Sequence, residues 1–158
     1  MEDQFKELYC ELVGLSVDGL YCHIAWLRTI KGKIEFTDMK DIEVTFPLIE
    51  YITMNVTKKY GMMIPGESNT KAVRALFFID FKGIIRTIIY YPLSLGRNFD
   101  VLNRVLQGLK TANALGLATP ADWRPCNDVT IAPSGNCGTA KDRMDAKEEG
   151  LEYKNWFF

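Results

Sequence analysis

Four cysteines, Cys10, Cys22, Cys126 and Cys137, and a single histidine, His23, are the side chains of this sequence best suited to nucleophilic, redox or metal chemistry. A thiol attacks as its thiolate, and that form is scarce at neutral pH unless a cation, a base or a helix N-terminus lowers the pKa from about 8.5. Cys126 and Cys137 lie in a polar, Gly- and Pro-rich stretch with no adjacent base, so they are expected to be exposed and oxidisable but slow. Cys22 stands beside His23, yet neighbours in a helix do not share a face, and His23 reads as structural. Cys10 and Cys22 read as buried small hydrophobes. No two cysteines have the two-residue spacing of a zinc knuckle or a redox dithiol. With one histidine, a zinc site would need scattered ligands, and no metal or other cofactor is expected.

Whatever chemistry these groups do must be positioned by an ordinary globular core. The chain has 158 residues, 47% hydrophobic and 25% charged, with a formal net charge of -1, so it can bury a real core. No block of Lys or Arg dominates any segment, which argues against nucleic acid or a membrane surface as partner. The opening residues Met1 to Lys6 do not form a basic patch leading into an apolar run, and no stretch is long and apolar enough for a bilayer span. A cytoplasmic location is the resulting expectation.

The apolar run Glu11 to Asp18 reads as a strand, and Leu20, Ile24, Leu27 and Ile30 recur at helical spacing behind it. Asp18 or Gly19 is placed to start that helix and Gly32 to stop it. Lys33 to Glu43 is charged and aperiodic, a surface excursion before a short extended piece at Thr45 to Ile49. Val73 to Asp80 and Ile84 to Tyr91 are β-rich runs joined by Phe81-Lys82-Gly83, the pattern of a hairpin. The residues Phe99, Leu102, Val105, Leu106, Leu109 and Ala112 mark one helical face, with Asn98 as N-cap and Gly116 as stop. Beyond Ala118 the prolines and glycines predict a loop-rich arm, with an exposed charged helical piece at Lys141 to Glu149 and an aromatic end, Tyr153, Trp156, Phe157 and Phe158. The order strand, helix, excursion, hairpin, helix is that of an α/β domain with a mixed sheet.

Three stretches together resemble the peroxiredoxins, thiol peroxidases built on a thioredoxin-like fold. The first is Leu12 to Asp18 with His23-Ile24-Ala25-Trp26; the second and most specific runs from Ala72 to Asp80 and on through Gly83-Ile84-Ile85-Arg86 to Tyr90-Tyr91-Pro92 and Gly96-Arg97-Asn98. The third, Thr119 to Trp123 with the closing Trp156-Phe157-Phe158, is similar to the C-terminal arm of the one-cysteine subfamily. The resemblance implies reduction of hydroperoxides by a cysteine thiolate, regeneration by a thiol reductant, no cofactor, and a homo-oligomer or association with another peroxiredoxin chain. It also implies that Arg74 is the strand arginine that leans over the thiolate and stabilises the transition state by charge-assisted hydrogen bonds.

Family members carry that thiolate in a Pro-x-x-x-Thr/Ser-x-x-Cys motif at a helix start, and none of Pro47, Pro65, Pro92, Pro120, Pro125 or Pro133 opens such a motif. Met1 to Tyr9 resembles the end of the helix just beyond it. The chain therefore reads as N-terminally truncated: residues 1–117 an incomplete thioredoxin-like core and 118–158 the arm. A cysteine that some relatives carry before the terminal aromatics is replaced by Tyr153. The expected outcome is a chain inactive alone, with a gap in the sheet where an upstream strand would lie between the Glu11 to Asp18 and Val73 to Asp80 strands. The alternatives are a non-catalytic module that pairs with an intact peroxiredoxin or a separate N-terminal half, and a thiol protein using Cys126 or Cys137.

Overall fold

The structure is a computed structural model, and it describes residues 2–33, 43–50, 55–62 and 74–131. The chain divides into two compact units, Met1–Arg97 and Asn98–Phe158. The sequence-based expectations for 34–42 and 132–158, including Cys137 and the aromatic end, lie outside the described residues.

The first unit opens with α1 (Glu2–Glu7), whose Glu2 and Asp3 sit at the positive end of the helix dipole and Lys6 at the negative end. Its apolar anchor is Phe5, which is buried, and the carbonyl of Phe5 accepts hydrogen bonds from the N–H groups of Leu8 and Cys10 as the helix unwinds. Cys10 follows this turn, half-buried and ahead of the first strand.

Strand β1 (Gly14–Ser16) pairs in parallel with β2 (Leu48–Glu50), with Gly14 opposite Leu48 and Ser16 opposite Glu50. Parallel strands need a crossover, and α2 (Leu20–Lys33) supplies part of it. A Cβ at position 14 would lie 2.6 Å from Leu48 Cδ1 and 3.3 Å from Phe46 Cε2, so any side chain there would have to push the Leu48 side chain aside. Among the described residues β1 covers three residues of the Glu11 to Asp18 run, and Val13 is exposed.

Helix α2 begins where the Gly19 carbonyl accepts the N–H groups of Cys22 and His23. The first free amide, Leu20 N–H, donates to the Glu50 carboxylate at the end of β2, which caps the helix from a distant strand; Asp18 instead accepts a hydrogen bond from Ser16 Oγ at 2.7 Å. The inward face carries His23, Ile24, Leu27 and Ile30, which are buried or half-buried. Cys22, Trp26 and Thr29 line the opposite face, so Cys22 is exposed rather than buried as expected. Gly32 does not end the helix, since it is helical itself and Lys33 follows it; an interior glycine weakens a helix by only about 1 kcal/mol and leaves the hydrogen-bond ladder whole.

A short helix not anticipated from the sequence, α3 (Asn55–Lys59), ends in a turn with Gly61 at φ 64°. It leads to Tyr60, whose ring meets Phe77 edge-on at 4.9 Å, while Tyr90 meets Phe77 at 6.2 Å and its hydroxyl donates to the Tyr60 carbonyl at 3.1 Å. Phe77 and Tyr90 belong to the hairpin of β3 (Arg74–Ile79) and β4 (Ile85–Tyr91), antiparallel with Arg74 opposite Tyr91 and Phe77 opposite Ile88. The turn is built on Asp80: its Oδ1 accepts the N–H groups of Lys82 at 2.9 Å and Ile84 at 3.0 Å, and its Oδ2 lies 3.4 Å from Arg86 Nη1. Gly83 at φ 78° supplies the left-handed residue the turn requires.

Among the described residues the strands thus form two separate two-stranded sheets, β1–β2 and β3–β4. Among those residues neither β1 nor β3 has a second strand neighbour. The buried apolar side chains among them are Phe5, Met62, Leu102 and Trp123, while Ile79, Ile84, Ile85, Ile88 and Tyr90 of the hairpin are exposed.

The second unit holds α4 (Phe99–Leu115). Asn98 caps it in an extended conformation, its Oδ1 accepting from Asp100 N–H at 3.0 Å and Val101 N–H at 3.2 Å, and Gly116 closes it at φ 63°. Leu102 is 2% exposed and Val105, Leu106, Leu109 and Ala112 are half-buried, the face expected from the spacing except for Phe99, which is exposed in the first turn. The described part of the arm is a loop closed by a bridge between Ala118 and Thr130 and anchored by buried Trp123, whose indole N–H donates to the Asn127 carbonyl at 3.1 Å. Trp123 and Thr119 lie against Gly108 of α4. No described helix is long and apolar enough to cross a membrane.

Candidate functional site

Arg74 is the first residue of β3, and its cross-strand partner Tyr91 is the last of β4, so both stand at the open end of the hairpin, away from the Phe81-Lys82-Gly83 turn. From Phe78 opposite Thr87 to Arg74 opposite Tyr91 the pairing runs in one unbroken antiparallel register, which fixes that end of the hairpin, while a register shift separates it from the pair of Ile79 and Ile85 next to the turn. The chain then leaves β4 through a tight turn in which Leu95 N–H donates to the Pro92 carbonyl at 3.0 Å. This turn brings the Leu95 carbonyl back to accept a hydrogen bond from Arg74 Nη1 at 3.0 Å. One donor of the guanidinium holds the side chain in place, and a guanidinium has five.

The same turn carries Arg97. Partial burial, and then the charge of Arg74, hold Arg97 below the usual arginine pKa, with Tyr91 acting in the opposite sense. Arg74 and Tyr91 are register partners at this end of the hairpin, and Arg97 follows Leu95 by two residues. Sequence reasoning assigned a role to Arg74 and none to Arg97. Counting register from the turn would place Tyr90 opposite Arg74; the irregularity between Phe78 and Ile79 shifts the pairing by one residue and brings Tyr91 there. The place of Arg97 depends on the path of residues 92–97, which no periodicity encodes.

The hydrogen bond that Arg74 makes goes to a carbonyl, and neither Cys10 nor Cys22 is among its partners. Cys10 lines a cleft of about 60 Å³ with Glu2, Lys6, Thr45, Phe46 and Pro47, and its S–H donates to the Glu11 carbonyl at 3.7 Å. In that cleft Lys6 Nζ lies 2.8 Å from Glu2 Oε1 and the Thr45 hydroxyl donates to the same carboxylate. Lys6, and secondly Thr45, hold the Glu2 carboxyl down to about 2, well below its ordinary 4.5. Cys126 is exposed, as expected, at φ 72° in the turn where Asn127 N–H donates to the Arg124 carbonyl at 3.0 Å. His23 is buried, with no hydrogen-bond partner for either ring nitrogen, which fits a packing role and offers no base to Cys22 on the opposite face. Among the described residues no cluster of three or more His, Cys, Asp or Glu could hold a metal ion.

The motif-level resemblance is matched by whole-chain comparison. A family model described as the AhpC/TSA family matches residues 1–88, more than half of the chain. A peroxiredoxin of Methanosarcina mazei is 46% identical over 157 residues, which cover 99% of this chain and 72% of the relative. One of Aquifex aeolicus is 43% identical over 164 residues, covering 98% of this chain and 70% of the relative. Among solved structures, yeast mitochondrial 1-Cys peroxiredoxin superposes with a TM-score of 0.74 at 33% identity, over 89% of this chain and 67% of the other. A cysteine-to-serine mutant of the peroxiredoxin 6 of Arenicola marina superposes with a TM-score of 0.75 at 29% identity, over 89% and 64%. Reduced Plasmodium vivax 2-Cys peroxiredoxin gives 0.68 at 29% identity, over 80% and 62%. The chain thus spans about 70% of these curated relatives and about two thirds or less of these solved chains. With its helices, its parallel and antiparallel strand pairs and these superpositions, the fold is thioredoxin-like α/β, and the chain belongs to the AhpC/TSA family, the peroxiredoxins.

Proposed function

We propose that this chain carries the arginine side of a peroxiredoxin-type site for reduction of hydrogen peroxide and organic hydroperoxides, and that its 158 residues are inactive without a peroxidatic thiol from outside them. The observation that carries the reading is Arg74, tethered to the Leu95 carbonyl beside Arg97 on a rigid hairpin end, with neither Cys10 nor Cys22 bonded to it. In the reaction, a thiolate attacks one peroxide oxygen, the O–O bond breaks, and the leaving oxygen takes a proton to depart as water or alcohol. The sulfur becomes a sulfenic acid, which an external thiol condenses with, releasing water, before a second thiol reduces the mixed disulfide. Negative charge moves from sulfur to oxygen along this path. Arg74, with donors to spare, stabilises both ends of it without rearranging.

The division into an incomplete core, 1–117, and an arm, 118–158, the one-cysteine assignment and a cytoplasmic location belong to the same proposal. A second reading, a module that associates with an intact peroxiredoxin, with a separate N-terminal half or with its own copies, is favoured by the exposed apolar hairpin and by the unpaired edges of β1 and β3 among the described residues. Peroxide consumption in the presence of a reducing thiol tests both. The chain alone is expected to turn over no faster than free cysteine. Adding a polypeptide that supplies the upstream strand and the Pro-x-x-x-Thr-x-x-Cys motif is expected to give turnover that Arg74→Ala lowers about 100-fold or more. Turnover by the chain alone that one Cys→Ser change abolishes would sink the first reading; a stable complex with an intact relative and no gain in turnover would select the second.

A further inference from the structure

We propose that the tip of the β3–β4 hairpin, Phe81 to Arg86, is a finger that docks peripherally on an anionic phospholipid bilayer. All six residues of this stretch are exposed, and beyond its chain neighbours no atom lies within 4 Å of a Cβ built on Gly83, so the tip projects into solvent. Its apolar members are large: Phe81 is 93% exposed and Ile84 54%, with Ile79 and Ile85 exposed beside them. Its charges are sorted as well. The Asp80 carboxylate is turned into the hairpin, where it accepts the Lys82 and Ile84 N–H groups and its side chain is 10% exposed, whereas that of Arg86 is 39% exposed. The Lys82 ammonium stands 5.6 Å from the centre of the Phe81 ring.

A ring left almost wholly in water is unfavourable, and a ring with an ammonium beside it suits the boundary of a bilayer, where the ring enters the acyl region and the cation stays among the phosphates. With Asp80 turned inward, the outer surface of the tip is cationic, the complement of anionic headgroups. Membrane binders held by charge alone need a polybasic block, which the sequence lacks. Here apolar insertion is the main force, and Lys82 and Arg86 add selectivity for the headgroup. A protein would have to offer a pocket matched to Phe81; a bilayer receives a projecting tip without one. The Asp80 turn, with Gly83 at φ 78°, already fixes the shape of the finger, so docking orders little that was loose before. The inference uses neither a thiol nor Arg74 and is independent of the peroxidase reading.

Flotation of the full chain with vesicles of phosphatidylcholine, and with vesicles mixing phosphatidylcholine and phosphatidylglycerol in equal parts, tests it without peroxide. Partition onto the mixed vesicles is expected to exceed that onto phosphatidylcholine about fivefold or more, since each basic side chain near an anionic surface contributes about that factor. Phe81→Ser is expected to lower it about tenfold or more, and Phe81→Trp to keep it. Lys82→Gln is expected to lower it on the mixed vesicles only. Leu115→Ser, which removes an exposed leucine at the end of α4, should leave it unchanged. Absent flotation with the mixed vesicles, or equal losses in Phe81→Ser and Leu115→Ser, would overturn the proposal. So would unaltered partition of Phe81→Ser together with a smaller sedimentation coefficient for that variant, which would assign the tip to a second copy of the chain. Should Phe81→Ser lose its far-ultraviolet circular dichroism, Phe81→Trp decides: its fluorescence must shift to the blue on the mixed vesicles beyond any shift of wild type, and no added shift rejects insertion.

Discussion

The β3–β4 hairpin and the β1–β2 pair are both two-stranded, yet they are held together by different physics. The hairpin has six- and seven-residue strands, a turn built on one aspartate and one glycine, and edge-on aromatic contacts at its inner face. Nearly all of that is local in sequence. The parallel pair has three residues on each side, joined through α2 and a further stretch of chain, and it depends on a glycine that admits a neighbour's side chain and on a carboxylate that caps a helix from 30 residues away. Arg74 stands on the hairpin. A side chain that must meet a reacting atom within a few tenths of an ångström is better placed on the element whose register is fixed locally.

If this contrast is right, the largest response comes from the parallel pair. Gly14→Val places a branched side chain where a single Cβ already meets Leu48 Cδ1 at 2.6 Å and Phe46 Cε2 at 3.3 Å. Overpacking of this kind costs about 1–3 kcal/mol, read as a lowered urea midpoint. Hydrogen exchange should show the loss at the β1 and β2 amides with β3 and β4 still protected. Equal loss in both pairs would mean that they form one cooperative unit, and the contrast would fail.

The hairpin is expected to respond less. Nothing lies within 4 Å of the Cβ that Gly83→Ala would add, so the cost is that of a left-handed backbone alone, about 1 kcal/mol. Gly83→Asn should recover much of it, because asparagine tolerates that conformation. A cost for Gly83→Ala above that of Gly14→Val would reverse the assignment of the rigid element.

The same division explains what the sequence disclosed. The hairpin and α4 were legible almost to the residue, because alternation, a turn glycine, an N-cap and a helical stripe are all local signals. Within the Glu11 to Asp18 run, read as a strand running out into a loop, the described strand is Gly14–Ser16, and its apolar residues do not mark where pairing starts. Helix α3, Asn55-Val56-Thr57-Lys58-Lys59, escaped notice because five residues cannot display a helical period. Cys22 was expected inside, although the argument that separated it from His23 already put the two on different faces; the structure gives the inner face to His23. At the site, Arg74 was found through resemblance, whereas Arg97 required the path of the turn after Tyr91.

The smallest expected effect separates the two regions by their charges. Glu2 and Asp80 both have carboxyls held below the ordinary range, but the first-ranking causes differ: the Lys6 ammonium for Glu2, and the backbone N–H of Ile84 for Asp80. A depressed folded-state pKa contributes stability that is complete above the unfolded value and is lost as pH falls through the folded one. For Glu2 that window runs from 4.5 down to about 2, and for Asp80 it opens below 3.8. Exposed ion pairs weaken in salt while hydrogen bonds to fixed amides do not, so about 0.5 M sodium chloride should shrink the acid-limb difference between wild type and Glu2→Gln. The difference between wild type and Asp80→Asn should persist in the same salt. Denaturation midpoints of the three proteins, measured from pH 6 to pH 2 at low salt and at about 0.5 M sodium chloride, give the four difference curves; a salt-sensitive Asp80 would show that the Arg86 contact, rather than the turn amides, governs the hairpin carboxylate.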